Sequence, residues 1–330
     1  MADAPLWITE ADVTSCIALP EAIDALERIL AMEAKGQASN MTKTAMMVGP
    51  NNAMHALGGA VAGAGVCGTK TWVNIDGKSQ TVLVLFSLED GRLRAVFEAT
   101  ALGQTRTAAM TGVGTRRLAP AEADELTVIG SGKQALPQVA AVAAVRRLKN
   151  VRVFSRRPEA REAFAESVRK ALGLKVTASA TFEDAVKDAP IVTLITNATQ
   201  PFFASAHAAK GSHVNAMGAI VAARAEFAQD IFPRCGLIAV DSVDNVRELS
   251  AEFRQRYGAE KGAKWDAVLP ISRVIAEDMK RPAGCDLTLF KAMGMGLSDL
   301  AMAIEILARI EKRGGAHKLP ERLRVPPRLT

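Results

Sequence analysis

The sequence predicts an α/β protein, a doubly wound parallel sheet joined to a separate α+β domain. From about residue 121 onward, short β-rich runs alternate with stretches of helical length and composition, which is the pattern of βα repetition around a parallel sheet. Residues 1–118 instead gather several strand candidates behind one helix, as an α+β unit does. A third observation is length, since 330 residues give room for two domains. The expected partition is 1–118 with 305–330 for one domain and 119–304 for the other.

The first helix is predicted at "LPEAIDALERILAMEAKG", where Pro20 and Glu21 suit a first turn and Gly36 suits the position just past the end. Strands are expected at 42–48, 66–75, 81–87 and 93–98, with "LEDGRL" as the hairpin turn between the last two. The parallel strands are then "LTVIG", "VRVFS", "KVTAS", "IVTLIT", "SHVNAMG" and "GLIAVDS". "LSDLAMAIEILARIEKRG" reads as one amphipathic helix, and "KLPERLRVPPRL" as a Pro-containing tail that packs back on the first domain. No internal repeat or low-complexity segment interrupts this order.

Composition excludes several classes. Apolar residues make up 49% but aromatics only 5%, so Ala and Gly carry much of the core and backbones must pack closely. The longest apolar stretches, such as "GGAVAGAGVCG", are Gly-interrupted and shorter than the roughly 20 residues a membrane helix needs. "MADAPLWITEADV" lacks the basic start and apolar centre of a secretory signal, so a cytoplasmic location is expected. Cys16, Cys67, Cys235 and Cys285 are far apart without metal-ligand spacing, so neither a disulfide framework nor a bound metal is expected. The charge of +6 is spread along the chain, with Arg pairs only at 116–117, 146–147 and 156–157 and no aromatic interleaving, which argues against a nucleic-acid partner.

The stretch "LTVIGSGKQA" carries the first chemical signal. Gly130, Gly132 and Ala135 fit G-x-G-x-x-A between a strand and a helix, with a second strand at the expected distance. Glycines there let the backbone approach a pyrophosphate at the helix N-terminus, so a Rossmann-type dinucleotide site is predicted, with Ser131, Lys133 and Gln134 completing its turn. At the end of the second strand an NAD site usually has an acid, whereas this chain has Ser155, Arg156 and Arg157. Guanidinium groups suit a 2′-phosphate, so the expected cofactor is NADPH; the alternative is that both arginines are simply solvated. Thr196 and Asn197 in "LITNATQP", following a strand end, are expected on the nicotinamide side, and Met217 and Gly218 in "NAMG" are further expected cofactor-binding residues.

"ALGQTRTAAMTGVGTRRLAP" leading into that turn, then "VNAMG", "IAVDS" and "LTLFKAMGMGLSDLAMA" in the same order, resembles the ornithine cyclodeaminase/mu-crystallin family from about residue 40 to 310. The resemblance implies a homodimer acting on a small molecule, with the substrate-binding and dimerisation domain formed by the first hundred or so residues plus the C-terminus. It further implies an active site between that domain and the Rossmann domain. It places Lys70 of "GVCGTKTW" at the family's G-x-K lysine, Arg106 of "GQTRTAA" at the family arginine, and Lys43 of "MTKTAM" where many members have arginine. All three are candidates to hold a substrate carboxylate, although an ammonium does not replace a bidentate guanidinium, and Arg106 has an alternative as a structural ion pair at a helix start. Asp299 of "GLSDLAMA" matches a family aspartate near the nicotinamide, or serves as a carboxylate favoured at a helix N-terminus. His55 of "NAMHAL" either hydrogen-bonds an imine nitrogen or is structural.

One departure is informative. The cyclodeaminase and alanine dehydrogenase branches carry G-x-D, where this chain has Gly218, Ala219 and Ile220. An aliphatic side chain takes no proton and pairs with no ammonium, so reduction of a preformed imine is expected, as in the ketimine reductase branch. The resemblance then implies NADPH-dependent conversion of Δ1-pyrroline-2-carboxylate or Δ1-piperideine-2-carboxylate to L-proline or L-pipecolate. Two alternatives stand beside it: cyclodeaminase-like or alanine dehydrogenase-like deamination with NAD, and a non-catalytic NADP-binding protein.

Overall fold

The computed structural model describes residues 4–49, 52–320 and 325–329. One sheet is parallel throughout, in the order Val176–Ala178, Asn150–Phe154, Glu125–Ile129, Ile191–Leu194, Ser212–Ala216, Leu287–Lys291, Cys235–Val240, Val268–Pro270. All six runs expected as parallel strands are in it, and the fold is the predicted doubly wound α/β type. Strand order reverses beside Glu125–Ile129, which has Asn150–Phe154 on one side and Ile191–Leu194 on the other; a crevice outside the strand ends at such a switch is where these sheets take ligands. Val268–Pro270 and Leu287–Lys291 were not anticipated, and the latter, last in sequence, inserts between Ser212–Ala216 and Cys235–Val240.

The other sheet is mixed, ordered His317–Lys318, Leu6–Ile8, Leu93–Glu98, Lys78–Ser87, Val66–Ile75, Asn52–Val61, Ala38–Asn40, with Thr44–Val48 also pairing with Asn52–Val61. The expected strand at 42–48 is thus observed over Thr44–Val48, while Asn52–Val61 is a strand the sequence pattern did not reveal. The tail begins as expected, with His317–Lys318 pairing against Leu6–Ile8; residues 321–324 of that tail lie outside the described residues. The expected boundary between residues 304 and 305 falls within one continuous helix, Gly296–Arg313, which packs on Asn52–Val61 and on the helix Leu19–Ala34.

A single helix, Thr100–Leu118, ties the two sheets together. Its N-terminal amides at Thr100 and Ala101 donate to the Glu10 carboxylate at 2.6 and 2.8 Å, satisfying groups a helix start leaves open. At the other end Arg146 donates to the carbonyls of Thr115 and Ala119, and Arg281 to that of Leu118, all on the parallel-sheet side. Glycines allow the close contacts in between: a Cβ at Gly112 would strike Ile23, and one at Gly114 would strike the Phe290 ring. The helix is buried all round from Ala108 to Thr115, which explains why its sequence shows little amphipathic pattern.

Candidate active site

Strand alternation sends Lys70 and Trp72 to the inner face of the mixed sheet, beside Leu57 and His55 of the neighbouring strand. Helix Thr100–Leu118 presents Arg106 to the same side, and Lys43 enters from the segment ahead of Thr44–Val48. Lys43, Leu57, Lys70, Trp72 and Arg106 form one wall of a cavity of about 640 Å³ between the two sheets. The opposite wall comes from the parallel sheet: Gly132, Lys133, Gln134, Ile195, Thr196, Asn197, Met217, Gly218 and Ile220.

The cationic wall rests on one buried carboxylate. Lys70 Nζ lies 2.6 Å from Asp299 Oδ1, and Arg106 Nε is 3.2 Å from the same oxygen. Lys70 is 4% and Asp299 1% exposed, so this pair is largely withdrawn from solvent at the base of the cavity. Burial, reinforced by the Arg106 charge, draws the Lys70 ammonium below its ordinary range, while Asp299 opposes the shift. Asp299 holds the two cations from beneath and is not among the residues lining the cavity. Arg106 forms an ion pair with Asp299 and also lines the cavity.

Lys43 is held differently. Its ammonium donates to the Met293 carbonyl at 3.4 Å, and burial and the Arg106 charge push it down to about 8, against the pull of Asp241. Asp241, which sequence reasoning missed, is fully buried at the end of Cys235–Val240 and accepts the amides of Ser242, Met293 and Gly294. It fixes the Met293–Gly294 loop against the cavity. His55 is placed outside the lining, its ring stacked on Trp72 with centroids 4.7 Å apart, so that Trp72 faces the cavity where the histidine was expected to reach an imine nitrogen. Lys70 sits over the same indole at 5.1 Å.

On the nucleotide side, Gly130 has φ +119, and a Cβ there would strike the Ile195 carbonyl, so only glycine lets these strand ends converge. Gly132 faces open space, and Ala135 is fully buried at the start of helix Ala135–Ala143. The turn is thus an open backbone concavity at the start of helix Ala135–Ala143. Ser155, Arg156 and Arg157 follow Asn150–Phe154, with Arg156 and Arg157 exposed. Arg116 and Arg117 are held by Asp24, Glu27 and Asp278, whereas among the described residues no carboxylate lies within 4.0 Å of Arg156 or Arg157.

Glu226 is a further residue the sequence did not signal. Fully buried, it accepts the Thr196 amide and hydroxyl on one oxygen at 2.7 and 2.8 Å, and the Gly218 and Ala219 amides on the other at 2.8 and 3.1 Å. It locks together the two strand-end loops that face the cationic wall.

A profile of the ornithine cyclodeaminase/mu-crystallin family matches residues 5–314. The chain belongs to this family. A Δ1-pyrroline-2-carboxylate reductase of Bacillus cereus is 27% identical over 239 residues, covering 72% of this chain and 73% of that protein. An iminosuccinate reductase of Paracoccus denitrificans is 26% identical over 322 residues, covering 95% and 99%. The fold matches that of Thermococcus litoralis Δ1-pyrroline-2-carboxylate reductase in complex with NADH and L-proline, with a TM-score of 0.87 at 22% identity over 95% of this chain and 100% of that one. Ile220, two residues after Gly218, also lines the cavity.

Proposed function

We propose that this chain is a nicotinamide-dependent imine reductase that acts on a carboxylate-bearing cyclic imine, Δ1-pyrroline-2-carboxylate or Δ1-piperideine-2-carboxylate, and yields L-proline or L-pipecolate. The observation that carries the reading is the pairing of a cationic wall, Lys43, Lys70 and Arg106, with an opposing wall whose position 220 is an isoleucine. The first suits a carboxylate; at position 220 the second offers no base for deaminating an amine, and the Asp241 carboxylate is engaged by backbone amides. Arg106 and Lys70 take the carboxylate, and Trp72, Met110 and Ile220 cover the apolar ring. Positioning is the main contribution of such a site.

The Gly130–Gln134 turn, Thr196, Asn197, Met217 and Gly218 would hold the dinucleotide, and Ser155, Arg156 and Arg157 a 2′-phosphate, so the preferred form is NADPH. When bound, that group supplies the hydride. A second reading, an open-chain imine dicarboxylate, is favoured by the near full-length likeness to an iminosuccinate reductase and by Arg224, which also lines the cavity.

The protein is further proposed to be a homodimer. Met46, Met54 and Val73 are direct cross-strand neighbours on the outer face of the mixed sheet, and Val82 and Phe86 continue that face; all five are exposed. An apolar sheet face of this kind is what an isologous interface covers. Following the oxidation of NADPH and NADH with each imine tests the activity, and sedimentation equilibrium tests the assembly.

A further inference from the structure

We infer that Lys43 is the acid that protonates the substrate nitrogen during reduction. This rests on the imine reductase reading and assigns a role that its carboxylate-binding cations leave open. Reduction of a neutral imine needs a proton as well as a hydride. The C=N carbon takes the hydride, its π pair passes to nitrogen, and a Nζ–H bond of Lys43 breaks as the new N–H bond forms. The nicotinamide is oxidised, the imine is reduced, and the neutral Lys43 amine recovers its proton from water.

The cavity supports a neutral imine as the bound form. On the wall that faces the parallel sheet the cations are Lys43, Lys70 and Arg106, Lys133 and Arg224 lining the other side, and the carboxylate of Asp299 is engaged beneath two of the three. Asp241, the other acid of this wall, is engaged by three backbone amides. Ile220 gives an incoming iminium no counter-charge. The proton must then come from the wall, and the candidates separate by geometry. Arg106 keeps its proton at any working pH. Lys70 is tied to Asp299 at 2.6 Å. His55 is stacked on Trp72 and is not among the cavity's lining residues, and burial together with the Lys43 charge lowers its basicity.

Lys43 alone in this set combines a cavity-facing ammonium with a weak tether, the 3.4 Å contact to the Met293 carbonyl. The charged and titratable groups around it are Arg106 from helix Thr100–Leu118, His55 and Lys70 from the mixed sheet, and Asp241 from the parallel sheet. Their balance and burial bring its ammonium to about 8, where an amine gives up and recovers a proton near neutral pH. An arginine at the same position would hold a carboxylate but, always protonated, would transfer nothing.

Two measurements test this. Competitive acetylation of the wild-type protein across pH, read by peptide mass spectrometry, reports the ionisation of Lys43 without substrate or cofactor; a midpoint near 8 is expected, and one near 10.4, that of free lysine, overturns the assignment. Kinetically, Lys43→Arg should lower kcat by roughly 10²–10⁴-fold with KM changed little, and should remove the alkaline limb of the wild-type profile. Methylamine should restore part of the turnover of Lys43→Ala. Full kcat and an unchanged limb in Lys43→Arg would overturn the role while leaving the imine reductase reading intact; wild-type protein that turns over no imine would overturn both.

Discussion

Lys70 Nζ and Asp299 Oδ1, both almost fully buried, meet at 2.6 Å, and Arg106 Nε approaches the same oxygen at 3.2 Å. One carboxylate, supplied by helix Gly296–Arg313, thereby sets the positions of cations from a strand and from another helix. Removing it leaves buried charge without a partner. Asp299→Ala should cost about 3–5 kcal/mol of stability, measured by urea denaturation, with loss of substrate binding in whatever folded protein remains.

Arg106 has the opposite profile, because its guanidinium reaches the cavity. Arg106→Ala should raise KM for the imine by about 10- to 150-fold, the equivalent of one charged hydrogen bond of roughly 1.5–3 kcal/mol, while affinity for the dinucleotide is kept. Initial rates at varied imine, paired with calorimetric titration of NADPH, check it. An unchanged KM would remove Arg106 from substrate binding.

The cofactor preference should reside in the exposed pair after Asn150–Phe154. Replacing both Arg156 and Arg157 with Ala should reduce kcat/KM for NADPH by about 10- to 100-fold and leave that for NADH nearly unchanged, since only the former bears a 2′-phosphate. Equal losses with both cofactors would mean that the arginines face solvent.

Lys43→Met should raise stability, because it removes a half-buried ammonium whose burial already disfavours its charged form. A gain of about 0.5–2 kcal/mol is expected, accompanied by loss of turnover. For the wild type the sign is as follows: folding lowers the affinity of Lys43 for its proton, so its penalty is full below pH 8 and is relieved as pH rises toward the unfolded value near 10.4. The stability difference between variant and wild type should therefore shrink across that window.

Much of this was legible because periodicity and turn chemistry are local. Gly130, Gly132 and Ala135 marked the turn from strand to helix, and the strand expected at 66–75 is observed over Val66–Ile75. Asn52–Val61 was hidden by Gly58 and Gly59, which read as breakers. Their actual role is to let backbones meet: a Cβ on Gly59 would lie 2.6 Å from the Ser39 carbonyl, and one on Gly58 would lie 2.7 Å from the Gly68 carbonyl. Leu287–Lys291 is buried throughout, so it shows no alternation. Asp241 and Glu226 were beyond reach for another reason. Each serves amides that are distant in sequence, Met293 and Gly294 for the first, Thr196 for the second, and such pairings exist only once the strands are assembled.

The most direct test is the initial rate of NADPH oxidation by the wild-type protein with Δ1-pyrroline-2-carboxylate, Δ1-piperideine-2-carboxylate and iminosuccinate, with NADH alongside and ornithine plus NAD as the control. Reduction of a cyclic imine, faster with NADPH than with NADH, is the predicted result. Proline formed from ornithine with no imine reduced would contradict it, and would mean that a base other than residue 220 performs the amine chemistry.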